Sequence, residues 1–135
     1  MQNMHKYDLK PRITVGEEDH RRLIALTAAG GHLSEAADDL LEEIERARVV
    51  PQDKLPGDIV RMGSTVTYRP DNGVERTVTL VYPAEADIAQ NRISVLTPVG
   101  TALIGLARGQ SITWTARNGT RHVLSVIAVT DPVDA

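Results

Sequence analysis

The chain has 135 residues, a formal net charge of −3, 41% apolar residues and 24% charged residues. That length suits one compact domain with a small appendage, and the core must be aliphatic, because Phe is absent and only Tyr7, Tyr68, Tyr82 and Trp114 are aromatic. The lack of Cys excludes disulfides and thiolate chemistry and fits a reducing, cytoplasmic location.

The charge is uneven along the chain. Residues 1–54 carry eight Lys/Arg against eleven Asp/Glu, whereas residues 55–135 carry seven Arg, seven acids and no Lys. The acidic excess therefore belongs to the N-terminal part. A nucleic-acid binder usually shows a basic patch. None is visible, so direct sequence-specific nucleic-acid binding is not expected and a protein partner is. The opening residues have no apolar h-region, so no secretory signal is expected. No apolar run approaches a membrane span, so no membrane partner is expected.

The first thirteen residues are polar, with Ile13 a candidate hydrophobic staple. Thr14-Val-Gly-Glu17 matches a capping box and predicts a helix to about Ala29, with Leu23, Ile24 and Leu26 as its apolar stripe. Gly30-Gly31 ends it. Ser34 is a good N-cap for a second helix, and Glu35, Asp38 and Asp39 suit the positive end of its dipole. Ala37, Leu40, Leu41, Ile44 and Ala47 give a three-and-four spacing. Arg46 and Arg48 suit its C-terminal end. Together these predict a helical hairpin over residues 1–50 whose arms, about fifteen residues each, extend ~22 Å.

Residues 51–60, with Pro51, Pro56 and Gly57, read as a linker, and residues 61–135 as a second unit. There the apolar period becomes two. Thr65–Tyr68 and Thr77–Tyr82 alternate around a turn at Pro70-Asp-Asn-Gly73. Ala84–Asn91 is an acidic surface loop. Arg92–Trp114 then reads as a strand, a corner at Thr97-Pro98, one short apolar helix, a Gly turn and another strand. Thr97 is placed as N-cap and Pro98 as first helical residue. Asn118-Gly119 joins Ser111–Thr115 to His122–Val129 as a hairpin. About five strands and one short helix make an antiparallel, strongly curved sheet, and the fold class is α+β. Its expected core includes Ile93, Val95, Leu103, Leu106, Ile112 and Trp114.

Several stretches together resemble the Gre transcript-cleavage factors, and more closely the regulator of nucleoside diphosphate kinase family. They are Gly63-Ser-Thr-Val-Thr-Tyr68, Thr79-Leu-Val-Tyr-Pro83, Ala86-Asp-Ile88, Ile93-Ser-Val-Leu-Thr-Pro-Val-Gly100, Ala102-Leu-Ile-Gly-Leu106, and Gly109 with Ile112 and Trp114. The resemblance covers almost the whole chain. It implies a short N-terminal antiparallel coiled coil followed by an FKBP-like domain. It also implies docking on RNA polymerase at the rim of the secondary channel through the strand-to-helix corner, here Leu96, Thr97, Pro98 and Val99. Gre factors carry Asp-Ser-Pro at that corner; the proline and a hydroxyl residue carry over, while Leu96 replaces the acid.

At the hairpin tip, Gre factors show Gly-Asp-Leu-x-Glu, whose acids help hold a catalytic magnesium. This chain reads Gly31-His32-Leu33-Ser34-Glu35. Glu35 matches the second acid, but His32 replaces the first, and magnesium prefers hard oxygen ligands. With shorter arms as well, transcript cleavage, a metal site and a cofactor are not expected, and neither is an enzyme.

His5, His20, His32 and His122 never fall at two-ligand spacing. Ser64, His122 and Asp58 or Asp87 lack a Gly-x-Ser-x-Gly elbow and read as chance. The acids of the second helix fit a solvated face. Two other functions remain open at this point. A peptidyl-prolyl isomerase follows from the implied FKBP-like fold but lacks an aromatic cage, and direct binding to nucleoside diphosphate kinase follows from the family name. Weak self-association of the short hairpin also stays open.

Overall fold

The computed structural model describes residues 9–29 and 34–132. Strand β1 (Thr14–Gly16) leads into helix α1 (Glu17–Ala29), and helix α2 (Glu35–Glu45) leads into strand β2 (Arg48–Val50). β1 and β2 pair in parallel, Thr14 with Arg48 and Gly16 with Val50. The two helices thus rise from a two-stranded ribbon that ties their outer ends together.

That ribbon overturns the expected capping box. Thr14 is extended and its N–H goes to the Gly105 carbonyl at 3.1 Å, so strand pairing holds the chain open until Glu17. The cap comes instead from Gln52, whose Oε1 accepts the N–H groups of Glu18 and Asp19 at 2.8 and 3.0 Å. A helix's first N–H groups lack internal partners, and any well-placed oxygen can satisfy them. Gly16 leaves room for that amide: a Cβ there would overlap the Gln52 side chain.

Helix α1 turns Asp19, Leu23 and Thr27 inward, a strict four-residue repeat. Ile24 and Leu26 of the expected stripe are half-buried. Helix α2 starts as expected, with Ser34 Oγ accepting the Ala37 N–H at 3.1 Å. It buries Ala37, Leu40 and Ile44, whereas Leu41 is half-buried. Arg46 caps its end, so Ala47 and Arg48 lie beyond the helix rather than on it. One acid of α2 is not solvated: Glu43 is 8% exposed and clamped by Lys10 at 3.3 Å and Arg46 at 2.8 Å.

The larger sheet has the order β5-β4-β3-β7-β6, formed by β3 (Thr65–Pro70), β4 (Arg76–Val81), β5 (Arg92–Ser94), β6 (Ser111–Thr115) and β7 (Arg121–Thr130). Four of the strands form antiparallel ladders. β5 departs from the all-antiparallel expectation by running parallel to β4. The exposed crossover at 83–91, with two 3-10 turns, allows the return in the same direction. Between Thr67 and Tyr68 the β3–β7 register slips by a bulge, which bends and twists a sheet. The architecture is mixed α+β, two N-terminal helices on a curled sheet. Among the described residues, no helix is long and apolar enough to cross a membrane.

The stretch at 51–60, expected as a linker, is ordered. Gln52–Lys54 form a 3-10 turn, Leu55, Ile59 and Val60 are buried, and Val60 exchanges backbone bonds with Leu106 and Gly105. One aliphatic core runs through the molecule. Ile13, Leu23, Leu40 and Ile44 join Val66, Leu80, Val95, Leu103, Leu106, Ile112 and Leu124 in one cluster. Each such side chain contributes about 1.5–3 kcal/mol on burial. The helices are therefore seated on the sheet. Of the expected core, Ile93 and Trp114 are only half-buried.

A candidate docking groove at the strand-to-helix corner

Helix α3 (Pro98–Leu103) follows β5 through a corner made by local hydrogen bonds. The Ser94 carbonyl accepts both the Thr97 N–H at 3.0 Å and its hydroxyl at 2.7 Å. Thr97 Oγ1 in turn accepts the Gly100 N–H at 3.0 Å, the N-cap expected from the sequence, with Pro98 at the first helical position. Ser94 Oγ accepts the Leu96 N–H, and the Thr101 hydroxyl donates to the Val95 carbonyl at 2.8 Å. Gly100 is required sterically, since a Cβ there would fall on the Ser94 carbonyl oxygen. The corner is a rigid block.

Leu96, Thr97, Pro98 and Val99 form the corner through which the resemblance implies docking. All four are half-buried, and Leu96 and Val99 lean on the core. The reason is α2, which packs beside α3. Pro98 and Thr101 border two adjoining hollows between that helix and the sheet. One hollow also meets Asp39, Glu42, Ile112 and Trp114, and the other Glu35, Ala36, Leu96 and Arg117. Burial raises the Asp39 carboxyl above its ordinary range, helped by Glu35, Glu42 and Asp38 and opposed by Arg117.

Of the hairpin-tip residues, His32 and Leu33 lie outside the described residues. Glu35, the first residue of α2, does not stand apart from the corner: it lines the same hollow as Leu96 and Pro98. An eleven-residue helix is only about 16 Å long, too short to carry its start away from the sheet.

The residues of the chance triad stay apart in their bonding. Ser64 is fully buried and its Oγ accepts the Arg61 N–H at 2.9 Å. His122 stacks on Trp114, with ring centroids 5.0 Å apart, and meets Asp71 Oδ1 at 3.3 Å. Among the described residues, no group of three His, Asp or Glu is arranged to hold a metal ion. The groove has an acidic wall and a single tryptophan. A proline ring would need an apolar aromatic cage, so the isomerase expectation finds no support in the groove.

Sequence reasoning missed two polar anchors. Gln52 caps a helix 33 residues upstream. Asp19 is 8% exposed, and its carboxylate accepts the Met62 N–H at 3.2 Å. Its place in the inward repeat with Leu23 and Thr27 was the available signal.

Two family models match the chain. One described as "Rnk N-terminus" matches residues 11–50, and one described as "Transcription elongation factor, GreA/GreB, C-term" matches residues 55–131. The "Regulator of nucleoside diphosphate kinase" of Escherichia coli (strain K12) is 35% identical over 120 residues, covering 87% of this chain and 88% of that protein. "Transcription elongation factor GreA" of Azorhizobium caulinodans is 42% identical over 84 residues, covering 62% of this chain and 54% of that protein. The chain thus spans about half the length of that factor. A solved structure, "Prokaryotic transcription elongation factor GreA/GreB from Nitrosomonas europaea", matches with a TM-score of 0.70 at 37% identity, over 90% of this chain and 100% of that one. The isomerase expectation finds no support in these names either.

Proposed function

This chain belongs to the GreA/GreB transcription elongation factor family, on the branch of the regulators of nucleoside diphosphate kinase, and from that premise we propose that it is a non-enzymatic transcription regulator. It docks on RNA polymerase at the rim of the secondary channel, competes there with other factors, and does not stimulate transcript cleavage. It acts in the cytoplasm. In this reading residues 1–50 act as a short coiled-coil unit, residues 51–60 connect it, and residues 61–135 are an FKBP-like docking unit.

The observation that carries the reading is the corner. Leu96–Val99 is held rigid by the Ser94 and Thr97 bonds, and it presents Pro98 at the edge of a groove. A fixed backbone loses little entropy on binding. The lack of cleavage rests on reach and ligand chemistry: α1 and α2 are 13 and 11 residues long, about 20 and 16 Å, and His32 stands where a first acid would be needed.

Biolayer interferometry against core RNA polymerase tests the docking. Wild type should bind, and Leu96→Arg and Pro98→Ala should weaken binding by about tenfold or more, the range of a lost interface anchor. Unaltered binding by both variants removes the corner from the reading, and no binding by wild type removes the function. A second reading, direct binding to nucleoside diphosphate kinase, is favoured only by the name of the Escherichia coli relative. Co-purification of the kinase with this protein separates the two.

A further inference from the structure

The groove beside the corner has walls of opposite chemistry. On one side α2 presents Glu35, Asp39 and Glu42; on the other stand Leu96, Pro98 and Trp114. Among the described residues, neither Glu35, Asp39 nor Glu42 has an ion-pair partner within 4 Å. Lys10, which also borders the groove, is already committed to Glu43 at 3.3 Å. Among the described residues, the other cation on its lining is Arg117, whose charge also acts on Asp39. Three carboxylates against that one arginine leave an excess of negative charge on one wall and apolar surface on the other.

We propose that this groove receives an arginine-bearing segment of the protein partner, with the guanidinium against Asp39 and Glu42 and its stem along Pro98 and Trp114. The inference rests on the docking reading above and specifies the partner's chemistry. Arginine fits better than lysine. Its planar fork pairs with carboxylates in two bonds and lies flat on aromatic surface, whereas an ammonium is a compact, strongly hydrated point charge. Burial, and after it the neighbouring carboxylates of Glu35, Glu42 and Asp38, raise the Asp39 carboxyl above its ordinary range, and an entering cation opposes that rise. Docking then engages the corner and α2 together.

The test uses the full chain against core RNA polymerase at 50 and 300 mM salt, with Asp39→Asn/Glu42→Gln and Asp39→Lys/Glu42→Lys. Both positions are exposed, and an unchanged urea midpoint verifies folding. At low salt the neutral pair should weaken binding about tenfold and the reversed pair further. The gap between wild type and the neutral pair should narrow at high salt, as screening predicts. If the neutral pair binds within twofold of wild type at both salts while Leu96→Arg still weakens binding, the groove is not the arginine site and the corner docks alone. If wild type itself does not bind, the docking reading falls and this inference with it.

Discussion

Asp19→Asn is expected to stabilise the protein at neutral pH. Asp19 is 8% exposed on the inner face of α1, and its carboxylate accepts the Met62 N–H at 3.2 Å. Burial raises its pKa above the ordinary carboxylate range; the Met62 N–H, the Gln52 side chain and the Arg61 charge oppose that rise, and Glu18 adds to it. Tyr82 also lies in its field. The folded state therefore favours the protonated form. The stability this contributes is fully present below the unfolded pKa and is lost as pH rises through the higher folded value. Above that value the fold carries a charged group that it desolvates. Asparagine keeps an oxygen for the Met62 N–H and removes the charge, so a gain of about 0.5–1 kcal/mol is expected, the size usual for one stabilising substitution. The gain should shrink as pH falls through the raised folded pKa, where wild type takes up the proton. Urea midpoints at pH 7 and pH 4, with equal slopes, measure both values. Asp19→Ala provides the contrast: it strands the buried Met62 N–H and should cost about 1–3 kcal/mol at either pH. A loss of stability in Asp19→Asn at pH 7, or a gain of equal size at pH 4, would show that the fold does not disfavour the charged form of Asp19.

Gln52→Ala removes the acceptor for two N–H groups of α1 and should cost about 1 kcal/mol, the usual worth of an N-cap. Gly16→Ala should cost a similar amount by displacing that amide, and far less when Gln52 is already Ala; a double-mutant cycle in urea reads the coupling. At the corner, Thr97→Ala should cost about 1 kcal/mol through its lost cap. Gly100→Ala should cost about 2 kcal/mol or more, because its Cβ meets the backbone of Ser94 and Val95, which cannot swing aside as a side chain can. Thermal unfolding by circular dichroism ranks the two.

The elements legible in the sequence are those whose causes lie within a few residues. Ser34 and Thr97 cap the helices that follow them, Pro98 begins one, and alternation marks β3, β4, β6 and β7. Where the cause is distant, reading fails. Thr14-Val-Gly-Glu17 has the residues of a capping box, but the pairing of β1 with β2, more than thirty residues away, holds Thr14 extended. Gln52 has no local pattern that marks it as a cap. β5 is three residues long, too short to show whether it runs parallel or antiparallel to β4. At the candidate site, the corner could be read from Thr97-Pro98, whereas the wall opposite could not. Five of the six acids of α2 are exposed, as a solvated face requires, but helical periodicity reports which side is apolar, not what stands opposite the polar side.

That missing wall changes what docking requires. Had residues 51–60 been slack, α2 could swing away and leave the corner to bind alone. Instead Gln52 holds the start of α1, Asp19 holds the Met62 N–H, and Leu40 and Ile44 are fully buried in the core shared with Leu103 and Leu106. Moving α2 away would expose those two side chains alone at about 1.5–3 kcal/mol each, more than one engaged surface charge returns. The acidic wall therefore stays where it is while a partner approaches. A surface complementary to Leu96 and Pro98 alone meets carboxylates at the groove edge, and an acidic partner is repelled there. On the docking proposed above, a partner needs apolar and basic groups in register to fit both walls, and that proposal gives the two N-terminal helices a part in partner selection through their seat on the sheet.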